Sequence, residues 1–87
     1  MEDFLQKWNE EPYVSIVFQL VSGNEYSMYE GSWDKVDING NNVDYGKFSS
    51  ESNRYEFEDI LDFIKQDNEQ IFAIKVYNEF GTVVDHW

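Results

Sequence analysis

The chain contains no cysteine, which excludes disulfide bonds and thiolate metal sites. Its only proline, Pro12, is placed to end a short N-terminal element. Apolar runs such as Ile16–Phe18 are far too short to span a membrane. The acidic start, Met1–Asp3, lacks the basic residues and apolar run of a secretory signal. Together these absences predict a soluble, cytoplasmic protein without membrane contact.

Basic residues are scarce. Eighteen Asp and Glu residues against six Lys and Arg residues give a formal net charge of −12, whereas small domains typically carry charges of about 2–8 in magnitude. The six basic residues are scattered along the chain, so no basic face is available to neutralise phosphates. Direct binding of nucleic acid is therefore not expected. The acidity itself has two explanations: it serves solubility, or it serves a basic protein partner.

Catalytic and cofactor motifs are missing as well. The only histidine, His86, is the penultimate residue, and no Gly-x-Ser-x-Gly elbow is present. The five glycines form neither a dinucleotide-binding nor a phosphate-loop pattern. The segment Asp37–Gly40 partly resembles a calcium loop, but its first ligand position would be Lys35 and its closing glutamate position is Gly46. We therefore expect no enzymatic activity, no cofactor and no bound metal.

Aromatic residues, in contrast, are abundant. They make up 18% of the chain, and apolar residues make up 41%. Disordered acidic chains are poor in aromatic residues, so this composition favours a folded protein. Eighty-seven residues are enough for one core and too few for two. Residues 1–87 are accordingly predicted to form a single domain.

Alternation of apolar and polar residues predicts a set of strands. The clearest run covers residues 13–21, and Phe72, Ile74 and Val76 are expected to share one face of a later strand. Further strands are predicted over residues 26–29, 33–38, 43–48, 71–77 and 82–87, with turns at 22–24, 39–42 and 78–81.

Two helices complete the pattern. Phe4, Leu5 and Trp8 predict a short N-terminal helix that needs docking by Trp8, since so short a helix is marginal alone. A longer helix ends near Asp67, and Asn53 and Glu56 at its start follow the logic of a capping box. Its core face is formed by Phe57, Ile60, Leu61 and Ile64. The predicted fold is α+β: a small antiparallel sheet of about four to six strands, with the main helix packed across one face.

Carboxylates on this helix are the first candidate binding surface. Glu58, Asp59 and Asp62 lie opposite the predicted core face, spaced by about one helical turn (roughly 5–6 Å). Glu51 precedes them, and the hairpin ends supply a possible second patch. The candidate partner-binding residues are Glu51, Glu58, Asp59, Asp62, Glu30, Asp34, Asp37 and Asp44. Solvated carboxylates that merely favour the first turn of a helix are the alternative explanation.

In length, dispersed Asp and Glu, absence of Cys and a mixed sheet–helix pattern, the chain resembles small acidic phage-encoded inhibitors of bacterial defence nucleases. These include anti-CRISPR and anti-restriction proteins, some of which act as DNA mimics. The resemblance concerns overall character and transfers no functional residues. It implies an inhibitor that occupies the basic nucleic-acid groove of a nuclease, acting in the cytoplasm of a bacterial host cell as a monomer or small homo-oligomer.

Two other functions remain open. An immunity protein or antitoxin that caps a basic toxin has the same physical character. An accessory or structural domain would instead use a sheet edge and exposed aromatic residues such as Trp33, Tyr45 and Trp87. Binding through charge weakens steeply with salt, whereas binding through an apolar interface does not.

Overall fold

A computed structural model describes residues 1–8, 11, 13–29, 31–48 and 57–87. The elements follow in the order α1 (Glu2–Trp8), β1 (Ser15–Leu20), β2 (Glu25–Tyr29), β3 (Ser32–Val36), β4 (Asn42–Lys47), α2 (Phe57–Gln66), β5 (Ile71–Tyr77) and β6 (Val83–His86). The six strands form one antiparallel sheet in the order β4-β3-β2-β1-β5-β6. The α+β prediction, with its short N-terminal helix and its main helix at the sheet, is confirmed.

Sequential hairpins build most of the sheet. β1 to β4 pair one after another, and β5 pairs with β6. The connection through α2 carries the chain from edge strand β4 back to the other side of β1, where β5 pairs with it. β1 therefore has a partner strand on each side.

The register assigns side chains to two faces, because directly opposed residues in antiparallel strands point the same way. On one face, Phe18 of β1 lies between Tyr26 of β2 and Ile74 of β5. Both helices pack on this helix-covered face, α1 through Leu5 and α2 mainly through Ile60. The core consists of Leu5, Ile16, Phe18, Leu20, Tyr26, Met28, Phe48, Phe57, Ile60, Ile64, Ile74 and Val76.

The opposite side of the sheet, here called the open face, has no described element packed on it. Val17 of β1 lies there between Ser27 of β2 and Lys75 of β5. Its described residues are mostly half-buried. The sheet thus separates a covered, apolar side from an uncovered, mixed one.

One strand prediction is wrong. Phe72 was expected to share a core face with Ile74 and Val76, but it is 72% exposed. The register between β1 and β5 shifts at this point, so that Gln19 opposes Ala73 while Leu20 opposes Ile71. This bulge interrupts the two-residue alternation, and Ile71 packs against the core instead.

The turn between β3 and β4 also begins earlier than predicted. β3 ends at Val36 rather than at Ile38, which is exposed in the turn. The Asp37 carboxylate accepts hydrogen bonds from the backbone N–H groups of Asn39 (2.9 Å) and Asn41 (3.0 Å). Gly40 has a φ of +84°, in the left-handed region where glycine carries no steric penalty. Asp37 therefore closes the hairpin turn.

The N-terminal helix is held as predicted. Leu5 is buried, and Trp8 packs against the core and donates from Nε1 to Asp85 Oδ2 of β6 at 2.9 Å. In the part of the chain that the structure describes, neither helix has the length and apolar content needed to cross a membrane. Pro12 and the proposed capping pair, Asn53 and Glu56, lie outside the described residues.

Candidate acidic interaction surface

The outer side of α2 carries the carboxylates predicted from the sequence. Phe57, Ile60 and Ile64 are buried against the sheet, which directs Glu58 and Asp62 to solvent, while Asp59 is partly exposed. Glu58 and Asp59 lie in the first turn, where negative charge complements the helix dipole. The local charge therefore stabilises the helix and remains available at the surface.

α2 ends in a glycine-free Schellman motif. Asn68 adopts a φ of +55°; its N–H donates to the Lys65 carbonyl at 3.1 Å, and the Glu69 N–H donates to the Ile64 carbonyl at 3.0 Å. This fixed turn directs Asp67 and Glu69 back onto the sheet. The Glu69 carboxylate accepts a hydrogen bond from the Asn24 side chain at 3.0 Å.

Asp67 links the turn after α2 to the sheet through two side-chain hydrogen bonds. Its Oδ2 accepts hydrogen bonds from the Tyr26 hydroxyl at 2.5 Å and from Lys35 Nζ at 2.9 Å. These donors, Tyr26 first, lower the pKa of Asp67 below its usual value. Burial is the main cause that raises the pKa of Tyr26, and the hydrogen bond to Asp67 is the second cause. The negative charges of Asp44 and Glu69 add to that rise, so they share the same neighbourhood.

Three aromatic rings support this cluster from below. Trp33 and Phe63 have ring centroids 4.8 Å apart, and Tyr26 lies 5.9 Å from Trp33. Trp33 lies over Gly46, where even a Cβ atom would come within 3.0 Å of the indole. Trp33 is therefore half-buried and packs within the fold, so the expectation that its ring is exposed for contact with a partner is wrong. Tyr45, at 78% exposed, and Trp87, at 47%, do face solvent.

The structure does not bring the hairpin carboxylates together as one patch. Asp44 opposes Lys35 on the helix-covered face, whereas Asp34 opposes Ser27 and Tyr45 on the open face. Asp37 lies between them in the hairpin turn, and its hydrogen bonds from Asn41 lower its pKa. Glu30 and Glu51 lie outside the described residues.

We define the acidic helix-side surface as Asp44, Glu58, Asp59, Asp62, Asp67 and Glu69. Of these, Asp67 and Glu69 were not predicted from the sequence, where Asp67-Asn68 indicated only the end of the helix. A carboxylate just beyond a helix C-terminus is unfavourable for the helix dipole. That mismatch was the available signal that Asp67 has another partner.

Comparison with known proteins finds no matching family model, no similar curated protein and no similar solved structure.

A second carboxylate, Asp85 on β6, is fully engaged inside the fold. It accepts from Trp8 Nε1 at 2.9 Å and from Lys7 Nζ at 3.1 Å, and these bonds lower its pKa. Lys7–Asp85 and Lys35–Asp67 are the two salt bridges within the described ranges. Glu58, Asp59 and Asp62 take part in neither and make no ion pair with another described residue.

No described group of side chains has the form of a catalytic or metal site. The described residues contain no cluster of three or more His, Asp or Glu side chains that could hold a metal ion. One open groove of about 540 Å³ runs between the N-terminus, α2 and the C-terminus, lined by Met1, Leu61, Lys65 and Trp87 among others. Its lining is mainly apolar, and it holds no pair of groups arranged for acid–base work.

Proposed function

We propose that this chain is a non-enzymatic binding protein whose acidic helix-side surface occupies the basic nucleic-acid-binding surface of a partner enzyme. The partner class that fits best is a nuclease of the bacterial defence type, inhibited by DNA mimicry. The proposal draws on the resemblance in overall character and on the distribution of charge over the fold.

The observation that carries this proposal is the unequal charge of the two sides. On the helix side, the helices, the covered sheet face and the turn after α2 carry nine carboxylates and three lysines, namely Glu2, Asp3, Asp44, Glu58, Asp59, Asp62, Asp67, Glu69 and Asp85 with Lys7, Lys35 and Lys65. The described residues of the open face include two of each, namely Glu25, Asp34, Lys47 and Lys75. Solubility alone gives no reason for such a one-sided distribution.

The spacing on α2 fits a polyanion mimic. Ten residues at about 1.5 Å each give the helix a length of about 15 Å, with Glu58 and Asp62 one turn apart on its exposed side. A basic groove that holds successive phosphates would meet carboxylates at a comparable spacing. Rigid packing of α2 through Ile60 keeps this row in place, so little ordering entropy is lost on binding.

The test is capture and inhibition. The tagged protein is incubated with bacterial lysate at low salt, eluted with a salt gradient, and any captured nuclease is assayed with and without the protein. We expect a basic nucleic-acid-binding protein that elutes with salt and is inhibited in competition with its nucleic acid. A partner that stays bound at high salt, or whose activity is unchanged, refutes the mimicry proposal.

The matched variants sharpen this test. E58K/D62K and the control E11K/E79K each change the net charge from −12 to −8, but only the first alters the acidic helix-side surface. We expect the first to lose capture and the control to retain it. Equal loss in both would mean that only total charge matters.

A further inference from the structure

The open face is unusual in this protein because its described residues carry no net charge. Two carboxylates, Glu25 and Asp34, are balanced by two lysines, Lys47 and Lys75. The whole chain carries −12, so two copies repel each other in most orientations. The open face is the broad side on which that repulsion is smallest.

The face also has the size of a stable interface. Six strands at about 4.8 Å spacing and three rows of outward side chains give roughly 500–600 Å² of flat area. With side chains standing on it, this approaches the about 800 Å² per partner of a standard interface. The described part of the chain places nothing on it.

The layout of its central row is self-complementary. Across the six strands this row reads Tyr45, Asp34, Ser27, Val17, Lys75 and His86. The middle of the row lies between Ser27 and Val17, and Asp34 and Lys75 stand at equal distances on either side of it. A two-fold axis parallel to the strands at this midpoint sets Asp34 opposite Lys75 of a second copy, and Lys75 opposite its Asp34.

The centre of the face permits close approach. Ser27 and Val17 are small and half-buried, whereas the long side chains of Tyr45, Lys75 and His86 stand nearer the margins. Packed sheets cross at about 30°, and a lysine side chain is long and flexible enough to follow that rotation.

Asp34 is incompletely hydrogen-bonded among the residues of its own chain that the structure describes. Its Oδ2 accepts a hydrogen bond from the Tyr29 hydroxyl at 2.6 Å, but its Oδ1 is buried and finds no donor in the described part of the chain. A half-buried carboxylate with only one donor is incompletely compensated. Lys75 has no ion pair among the described residues either.

We propose that two copies of this chain form a homodimer by packing their open faces together about a two-fold axis, with reciprocal Asp34–Lys75 ion pairs. The acidic helix-side surfaces then point outward on opposite sides of the dimer. Both stay accessible, so dimerisation is compatible with the proposed function and does not depend on it.

The test measures mass by sedimentation velocity over a range of protein concentration. We expect the 10.4 kDa chain to shift toward twice that mass as concentration rises. D34K and K75E should each lower the association constant by at least about tenfold, because each variant sets like charges together twice per dimer. The swap variant D34K/K75E reverses both partners and should recover most of the association.

Matched controls separate the local pair from total charge. E58K changes the net charge by the same amount as D34K, and K65E by the same amount as K75E. Neither control residue lies on the open face, so both variants should retain dimerisation. Circular dichroism checks that D34K and K75E remain folded.

The outcomes are decisive in each direction. A monomer at every concentration overturns the proposal, as does a dimer that D34K and K75E leave unchanged or one that the swap fails to rescue. A labelled single-stranded oligonucleotide is included as a second probe. If it binds and K75E weakens that binding, the open face is assigned to nucleic acid instead.

The dimer should strengthen with salt, since salt screens the repulsion between two chains of charge −12. Capture of a basic partner by the acidic helix-side surface should instead weaken with salt. Failure of one proposal is therefore visible apart from failure of the other.

Discussion

Replacing Asp67 with asparagine tests whether the turn after α2 holds the helix to the sheet. Asp67 accepts from Tyr26 at 2.5 Å and from Lys35 at 2.9 Å. Asparagine keeps one acceptor for the tyrosine but removes the charge. A hydrogen bond to a charged group contributes about 1.5–3 kcal/mol, and an exposed ion pair about 0–1 kcal/mol. Because the Asp67 side chain is 36% exposed, solvent screening reduces the sum, and we expect D67N to lose about 1–2 kcal/mol at neutral pH.

The same variant has a pH signature. The folded-state pKa of Asp67 is lowered, so its contribution is fully present above the unfolded pKa of about 3.9 and is lost as pH falls through the folded value. Asparagine has no proton to gain. The difference in unfolding free energy between wild type and D67N should therefore be largest from neutral pH down to about 5, and it should shrink as the pH falls below the unfolded value of about 3.9.

Urea unfolding followed by tryptophan fluorescence at several pH values measures this difference. D62N is the control, since Asp62 is exposed and makes neither of the described salt bridges. Removing its charge should be neutral or slightly stabilising because it relieves repulsion. A D67N deficit that stays constant from pH 7 to pH 3 would refute the assignment to charge, and equal behaviour of D67N and D62N would refute the docking role.

The remaining predictions concern the core, a turn and the acidic surface. I60A should cost about 2–5 kcal/mol of unfolding free energy, because the Ile60 side chain of α2 is fully buried. F72A should change the unfolding free energy by less than about 0.5 kcal/mol, because Phe72 is 72% exposed. Urea unfolding measures both variants. G40A should cost about 1–2 kcal/mol because Gly40 has a φ of +84° in open space, and G40N should recover part of that loss; similar stability of G40A and wild type would contradict the turn assignment. E58K/D59K/D62K should keep the circular dichroism spectrum of the wild type while losing partner capture, and loss of the spectrum would show that the carboxylates serve folding instead.

Local periodicity was enough to predict much of the fold. The alternation of Ile16, Phe18 and Leu20 and the helical spacing of Phe57, Ile60 and Ile64 each report which side of an element is buried, because burial imposes the same period on the sequence. The exposure of Phe72 could not be predicted in this way. Its exposure depends on a bulge in the pairing of two strands distant in sequence, and no property of residues 71–77 alone reports the register of that pairing.

The candidate site was less predictable than the fold. Glu58 and Asp62 follow from the helical period, whereas the role of Asp67 depends on Tyr26 and Lys35, which are 41 and 32 residues away. The separation of Asp34 from Asp44 likewise depends on strand register. A formal net charge of −12 indicates that negative charge is abundant, but it does not indicate which side of the sheet carries that charge.

That distribution of charge connects the two proposals. A single sheet with helices on one face has two broad surfaces, and among the described residues of these two surfaces the excess negative charge lies on the helix side. Carboxylates on α2 and beyond it suit a cationic partner, because their field is strongest where no lysine faces them. The neutral open face suits a copy of the same chain, since Asp34 and Lys75 compensate each other across a two-fold axis. Salt should therefore act in opposite directions on the two surfaces, weakening one association and strengthening the other.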